Sequence, residues 1–148
     1  MAAGVPQVED YMARRVITVD ISDSVYDAAE AMIKNDVGCV VVTNQDKIAG
    51  VITKGDIIKK SVLELKDPSK TTAGSIMSNP FIKIGPEASL EDAAKLMSEK
   101  EVSKLPVINA DGLLVGIITA NDIIKVGPLY VDYLRGLIES KSSRVTHS

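Results

Sequence analysis

Gly50-Val51-Ile52-Thr53-Lys54-Gly55-Asp56 is answered later in the chain by Gly116-Ile117-Ile118-Thr119-Ala120-Asn121-Asp122. In each string a glycine opens a short apolar run and a threonine closes it. An aspartate follows three residues after the threonine, where Ile57-Ile58-Lys59 and Ile123-Ile124-Lys125 begin a helical pattern. The spacing reads as strand, turn and helix start, twice over.

Working outward from these strings, a shift of 65 residues superimposes Met12 on Met77, Ile17 on Ile82, Ser24 on Ser89 and Asp27-Ala28-Ala29 on Asp92-Ala93-Ala94. It also lays Met32 on Met97, Val37 on Val102 and Val42 on Val107. Beyond Asp46 the shift becomes 66. The added residue falls where Asn44-Gln45-Asp46-Lys47 meets Asn109-Ala110-Asp111-Gly112-Leu113, and a hairpin turn is where an insertion disturbs least. The chain is a tandem repeat, and the fold is read per repeat.

At 148 residues the chain can bury about two thirds of its unfolded surface in an ordinary core. With 45% hydrophobic residues but only four Tyr, one Phe and no Trp, that core is aliphatic, and the fold class is α/β (α+β). Seventeen basic against twenty acidic residues give a net charge of −3, so no global field recruits nucleic acid or anionic lipid. Cys39 is the only cysteine; an internal disulfide is excluded, and its place in an apolar run reads as packing. His147 is the only histidine and sits in a polar tail, so neither His–carboxylate catalysis nor a His-rich metal site can be assembled. No charged segment leads into an apolar one at the start, and no stretch approaches ~18 apolar residues. A cytoplasmic protein without membrane association is expected.

Residues 1–7 read as a flexible arm. Val8 to Met12 forms a helical turn with its counterpart at Ala73 to Met77, and Val16–Val19 and Phe81–Ile84 read as short strands. Ser24 with Asp27 is an acidic capping box opening a helix whose face is Val25, Ala28, Ala29, Met32 and Ile33; Ser89, Asp92, Leu90, Ala93, Ala94 and Met97 repeat it. Two apolar strands follow in each copy, Gly38–Val42 with Ile48–Thr53 and Lys104–Ile108 with Leu113–Thr119. Their continuous apolar character predicts burial on both faces, while Pro106 cannot donate to a ladder. Repeats at 8–66 and 73–126, joined by a linker at 67–72, are expected to pack sheet to sheet with pseudo-twofold symmetry. Residues 127–148 form a tail whose helix starts near Pro128, with an apolar stripe of Leu129, Tyr130, Tyr133, Leu134, Leu137 and Ile138.

The Gly-h-h-Thr-x-x-Asp string places a hydroxyl at a strand end, a carboxylate in the next helical turn and free N–H groups beside both. A carboxylate can chelate a vicinal diol, and the hydroxyl and N–H groups can donate to phosphate. The same two side chains can equally be a helix cap. Neither GxxxxGK[ST] nor GxGxxG occurs. With no nucleophile–base pair and no metal cluster, an enzyme is not expected.

Tyr11-Met12 and Ile76-Met77, the Asp-Ala-Ala-x-x-Met helices, Val102-Ser103-Lys104-Leu105-Pro106-Val107 and the two Gly-h-h-Thr-x-x-Asp strings together give the chain its likeness. Over residues 8–126 it resembles a CBS-domain pair, the Bateman module. The resemblance implies adenine nucleotides, AMP, ADP or ATP, in two clefts between the repeats, with no metal required. The first cleft would use Thr119 and Asp122, with Met12, Ile17, Val37 and Gly38 around the base and Ile117 beneath it. The second would use Thr53 and Asp56, with Met77, Ile82, Val102 and Ser103, and Val51 in the place of Ile117. Lys104 matches the basic residue aimed at phosphate; its counterpart is Cys39, and Val41 stands where the pattern has proline, which weakens charge neutralisation there. The implied role is an energy-sensing regulatory module that signals to an unidentified effector protein. A flat homodimer is implied through the helices at 24–35 and 89–100 and those beginning at Asp56 and Asn121. The alternatives are a structural homodimerisation module with empty clefts, an S-adenosylmethionine binder, and a nucleic-acid-associated regulator using Lys141 and Arg144.

Overall fold

The computed structural model describes residues 4–79, 81–127, 130 and 132–135. In chain order the elements are α1 (Val8–Tyr11), β1 (Thr18–Asp20), α2 (Val25–Asn35), β2 (Cys39–Asn44), β3 (Lys47–Thr53) and α3 (Lys54–Ile57), which runs into a π-helical turn at Ile58–Val62. Then come α4 (Ala73–Ile76), α5 (Leu90–Lys100), β4 (Lys104–Ile108), β5 (Leu114–Thr119) and α6 (Ala120–Val126). The fold is mixed α/β, in two compact units: residues 16–81, and residues 82–148 together with 1–15.

Backbone hydrogen bonds explain why each unit takes its opening turn from the other copy of the repeat. The first N–H groups of a helix have no partner within it and must find one elsewhere. Val25, at the start of α2, donates to the Thr71 carbonyl at 2.8 Å, and Ala73 at the start of α4 donates to Asp23 at 2.7 Å. The counterparts are Leu90 to the Pro6 carbonyl at 3.1 Å and Val8 to Ala88 at 2.8 Å. The segment before α4 therefore straps α2, and the segment before α1 straps α5. Pro6 and Gln7, read from the sequence as part of a loose arm, are held in this way, and Gln7 also pairs with Ser89.

In the unit 16–81, β2 is central, parallel to β1 with Thr18 opposite Val41 and antiparallel to β3 with Cys39 opposite Thr53. Cys39 through Val42 are all buried, as expected for a strand covered on both faces. Gln45 and Asp46 have φ of 52° and 66°, the left-handed pair that a two-residue hairpin turn needs to follow strand twist. Helix α2 starts on the expected box: the Ser24 hydroxyl accepts from the Asp27 N–H at 3.0 Å, and the Asp27 carboxylate accepts from the Ser24 N–H at 3.2 Å. Val25, Ala28 and Met32 face the core, but Ile33, expected on that face, is 77% exposed. At eight residues from Val25 it has rotated past the stripe set by Val25, Ala28 and Met32.

In the other unit β4 and β5 form a two-stranded sheet, Lys104 opposite Thr119. The strand expected at Phe81–Ile84 is reduced to one parallel bridge, Ile84 with Val107. Pro106 supplies the reason. In the first copy the Val41 N–H donates to the Ile17 carbonyl at 3.0 Å; Pro106 holds the equivalent position and has no N–H to give to Ile82. Only Ile84 to Pro106 at 3.1 Å and Ile108 to Ile84 at 2.9 Å remain. In the first copy the strand begins at Thr18, two residues later than the expected Val16.

Val8, Met12, Leu90, Ala93, Ala94, Met97, Leu105, Val107, Ile118 and Ile123 form this unit's core, and Leu134 of the tail is fully buried in it. Tyr130 and Tyr133 pack on the same cluster. The Tyr133 hydroxyl donates to Glu91 at 2.7 Å, while Lys95 pairs with Glu91 at 3.2 Å and lies 5.6 Å above the Tyr133 ring. Of the expected tail features, Pro128, Leu129, Leu137, Ile138, Lys141, Arg144 and His147 lie outside the described residues. No helix among the described residues is long and apolar enough to cross a membrane.

Candidate functional site

The glycine that opens each signature string is fixed by packing. A Cβ on Gly116 would lie 2.5 Å from the Met12 sulfur and 2.8 Å from the Ala13 carbonyl oxygen; on Gly50 it would lie 2.7 Å from the Met77 sulfur and 2.8 Å from the Ser78 carbonyl oxygen. In both places the chain leaving the opening turn crosses directly over the strand. Ala13 and Ile117 exchange two backbone hydrogen bonds at 2.9 Å each, and Ser78 donates to Val51 at 2.9 Å. The methionine, the apolar strand residue and the Thr-x-x-Asp turn are thereby brought to one end of each sheet.

The threonine and aspartate form reciprocal caps. The Thr53 N–H donates to the Asp56 carboxylate at 2.9 Å and the Asp56 N–H donates to the Thr53 hydroxyl at 3.2 Å; for Thr119 and Asp122 the distances are 2.9 and 3.1 Å. Of the two readings left open by the spacing, the cap is therefore present in both copies. It uses only one carboxylate oxygen, Oδ2, in each case, so Oδ1 can still meet another donor.

The two Oδ1 atoms differ. At Asp56 the Lys60 ammonium lies 3.4 Å away and also donates to the Ile76 carbonyl at 3.1 Å. At Asp122 no ion pair forms among the described residues, and the carboxylate borders an open cavity of roughly 420 Å³ lined with Tyr11, Lys125 and Val126. That is room for a small organic ligand. The sequence reading has Tyr11 in an opening turn and Lys125 in a helical pattern, and names none of Tyr11, Lys60, Lys125 and Val126 as a site residue. An aspartate followed by lysine four residues on was the available signal.

The residues named for each nucleotide divide between the units. Met12, Ile117, Thr119 and Asp122 share one unit with Ile82, Val102, Ser103 and Lys104; Val51, Thr53, Asp56 and Met77 share the other with Ile17, Val37 and Gly38. Most are half-buried, with Met12 buried and Thr53 exposed. Gly38 and Ser103 occupy matching places: their carbonyls accept the N–H groups of Lys54 at 3.2 Å and Ala120 at 2.9 Å, the first residues of α3 and α6. Lys104 is half-buried opposite Thr119, and its counterpart Cys39 is buried opposite Thr53. Among the described residues no group of three or more His, Cys, Asp or Glu is placed to hold a metal ion.

Known proteins share this arrangement. The profile of the CBS domain matches twice, at residues 8–63 and 73–128. An uncharacterised protein of Methanopyrus kandleri is 33% identical over 93% of this chain and 68% of its own length. The crystal structure of CBSX2 in complex with AMP has a TM-score of 0.73 at 29% identity, covering 82% of this chain and 95% of that one. The hexameric CBS-CP12 protein from bloom-forming cyanobacteria has a TM-score of 0.72 at 30% identity, covering 81% of this chain and 71% of that one. Two matched copies of one domain, each with its glycine, threonine and aspartate in equivalent geometry, place the chain in the CBS-domain family as a tandem pair.

Proposed function

We propose that the chain is a regulatory module that binds an adenine nucleotide and passes its occupancy to another protein. The observation that carries this reading is the likeness to CBSX2, solved in complex with AMP. The geometry is compatible with it: Asp122 keeps Oδ1 outside its cap and faces a cavity, where a ribose diol can donate both hydroxyls. Met12 and Ile117, which the resemblance groups with Asp122, supply apolar surface for a base. The module acts by binding and does no chemistry itself.

Heating the purified chain with AMP, ADP, ATP or S-adenosylmethionine tests the reading. A ligand present at 100 times its dissociation constant adds about 2.7 kcal/mol of stability, which shows as a rise in melting temperature. We expect it with at least one adenine nucleotide. If all four leave the transition unmoved at millimolar concentration, the nucleotide reading fails.

A second reading, assembly with another copy, is favoured by the exposed apolar residues of one unit. Tyr26, Ile33, Ile58, Val62, Leu63 and Leu65 are exposed on the unit 16–81, and the similar CBS-CP12 protein is hexameric. A homodimer would bury some of these residues.

A further inference from the structure

Both caps present the same threonine, the same aspartate and the same helix start, so those features cannot set the two copies apart; the residue four places after the aspartate can. Lys60 aligns with Val126, and Ile76 aligns with Tyr11. In one unit Lys60 spans from Asp56 to the Ile76 carbonyl. In the other, Asp122, Val126 and Tyr11, the counterparts of those three residues, together line the open cavity. What is a side-chain bridge in the first copy is empty space in the second.

We infer that Lys60 is a built-in occupant of the first copy's ligand position, and that the chain therefore offers one open diol-binding position, at Asp122. This rests on the nucleotide reading above and sharpens it. An ammonium and a vicinal diol satisfy the same acceptors, since both bring hydrogen-bond donors to a carboxylate oxygen. With Lys60 in place the Asp56 side chain is 15% exposed, its Oδ2 is used by Thr53 and its Oδ1 by lysine. A ribose there must displace the Lys60 ammonium, which is held at two points although its side chain is 40% exposed, whereas at Asp122 it meets an oxygen outside the cap beside a cavity. Val126 is what keeps that cavity open.

Calorimetric titration with AMP and with 2′,3′-dideoxy-AMP tests this on the full chain. We expect one AMP per chain, with dideoxy-AMP at least tenfold weaker. Asp122→Asn should weaken AMP at least tenfold, and Asp56→Asn should change it less than twofold. Val126→Lys, which installs the bridge, should weaken AMP at least tenfold while the melting temperature without ligand is kept; Val126→Met controls for bulk and should bind more tightly than the lysine variant. Lys60→Met should raise the stoichiometry towards two. Loss of AMP with Asp56→Asn and not with Asp122→Asn, or a folded Val126→Lys chain that binds AMP like the parent, overturns the inference and leaves the nucleotide reading standing. If neither the parent nor any variant binds AMP, ADP or ATP, the nucleotide reading itself is overturned and this inference goes with it.

Discussion

Gly50 and Gly116 are small because a methionine and a carbonyl oxygen sit where a Cβ would go. Alanine at either position is expected to cost about 1–3 kcal/mol, the usual range for overpacking, measured by denaturant unfolding. Trimming Met12 to alanine beside Gly116→Ala should not restore stability, since the Ala13 oxygen, 2.8 Å from the new Cβ, is backbone and cannot be removed. Thr119→Ala takes away the acceptor of the Asp122 N–H and should cost about 0.5–2 kcal/mol, while Thr119→Ser keeps both the cap and any ligand contact. The sequence spacing made Thr53, Asp56, Thr119 and Asp122 visible as a set. It could not separate cap from ligand contact, because one carboxylate serves a cap with Oδ2 and leaves Oδ1 for other donors. Nor did the set reveal that its two members differ, since the difference lies at Lys60 and Val126, outside the motif.

Elements built from local rules were legible in advance. The Ser24–Asp27 box, the hairpin turns and the buried strand β2 follow from residues near one another in sequence. The strand at Phe81–Ile84 was misread because its ladder depends on a residue more than twenty positions away, Pro106. Pro106→Val would return the missing N–H; amide exchange should then show a protected proton at residue 106, bonded to the Ile82 carbonyl as Val41 is to Ile17. An unprotected amide there would refute the account of the lost strand. The tail contact responds to pH at both ends of the scale. The hydrogen bond from Tyr133, with Lys95 second, holds the Glu91 carboxyl below its usual range, so its contribution is full above the unfolded pKa and fades as pH falls through the folded one. The same bond pushes the Tyr133 phenol up, so that contribution is full below the unfolded pKa and fades as pH rises through the folded one. Tail amides should be most protected between these limits. Glu91→Gln, which keeps an acceptor without the charge, should remove the acid-side loss.

For the whole molecule, the repeat agrees in its straps, hairpins and caps and is unequal in what covers its helices. In one unit Leu134, Tyr130 and Tyr133 of the tail pack on a core flanked by Leu96 and Ile124. At the counterpart positions of the other unit stand Ala31 and Ile58, and Ile58 is 53% exposed along with Ile33, Val62, Leu63 and Leu65, the last at 93%. Large apolar residues exposed in that number on one unit are a reason to look for a partner, and a second copy related by a twofold axis can satisfy both chains with a single self-complementary patch. Light scattering at micromolar concentration should give twice the mass of one chain. Because Ile33 and Leu65 contribute so little to the interior, Ile33→Glu with Leu65→Glu should leave the melting curve of the chain within about 0.5 kcal/mol of its starting stability, yet halve the measured mass. A parent chain that is monomeric under these conditions would end the dimer reading. A dimer indifferent to both substitutions would move the interface to another surface.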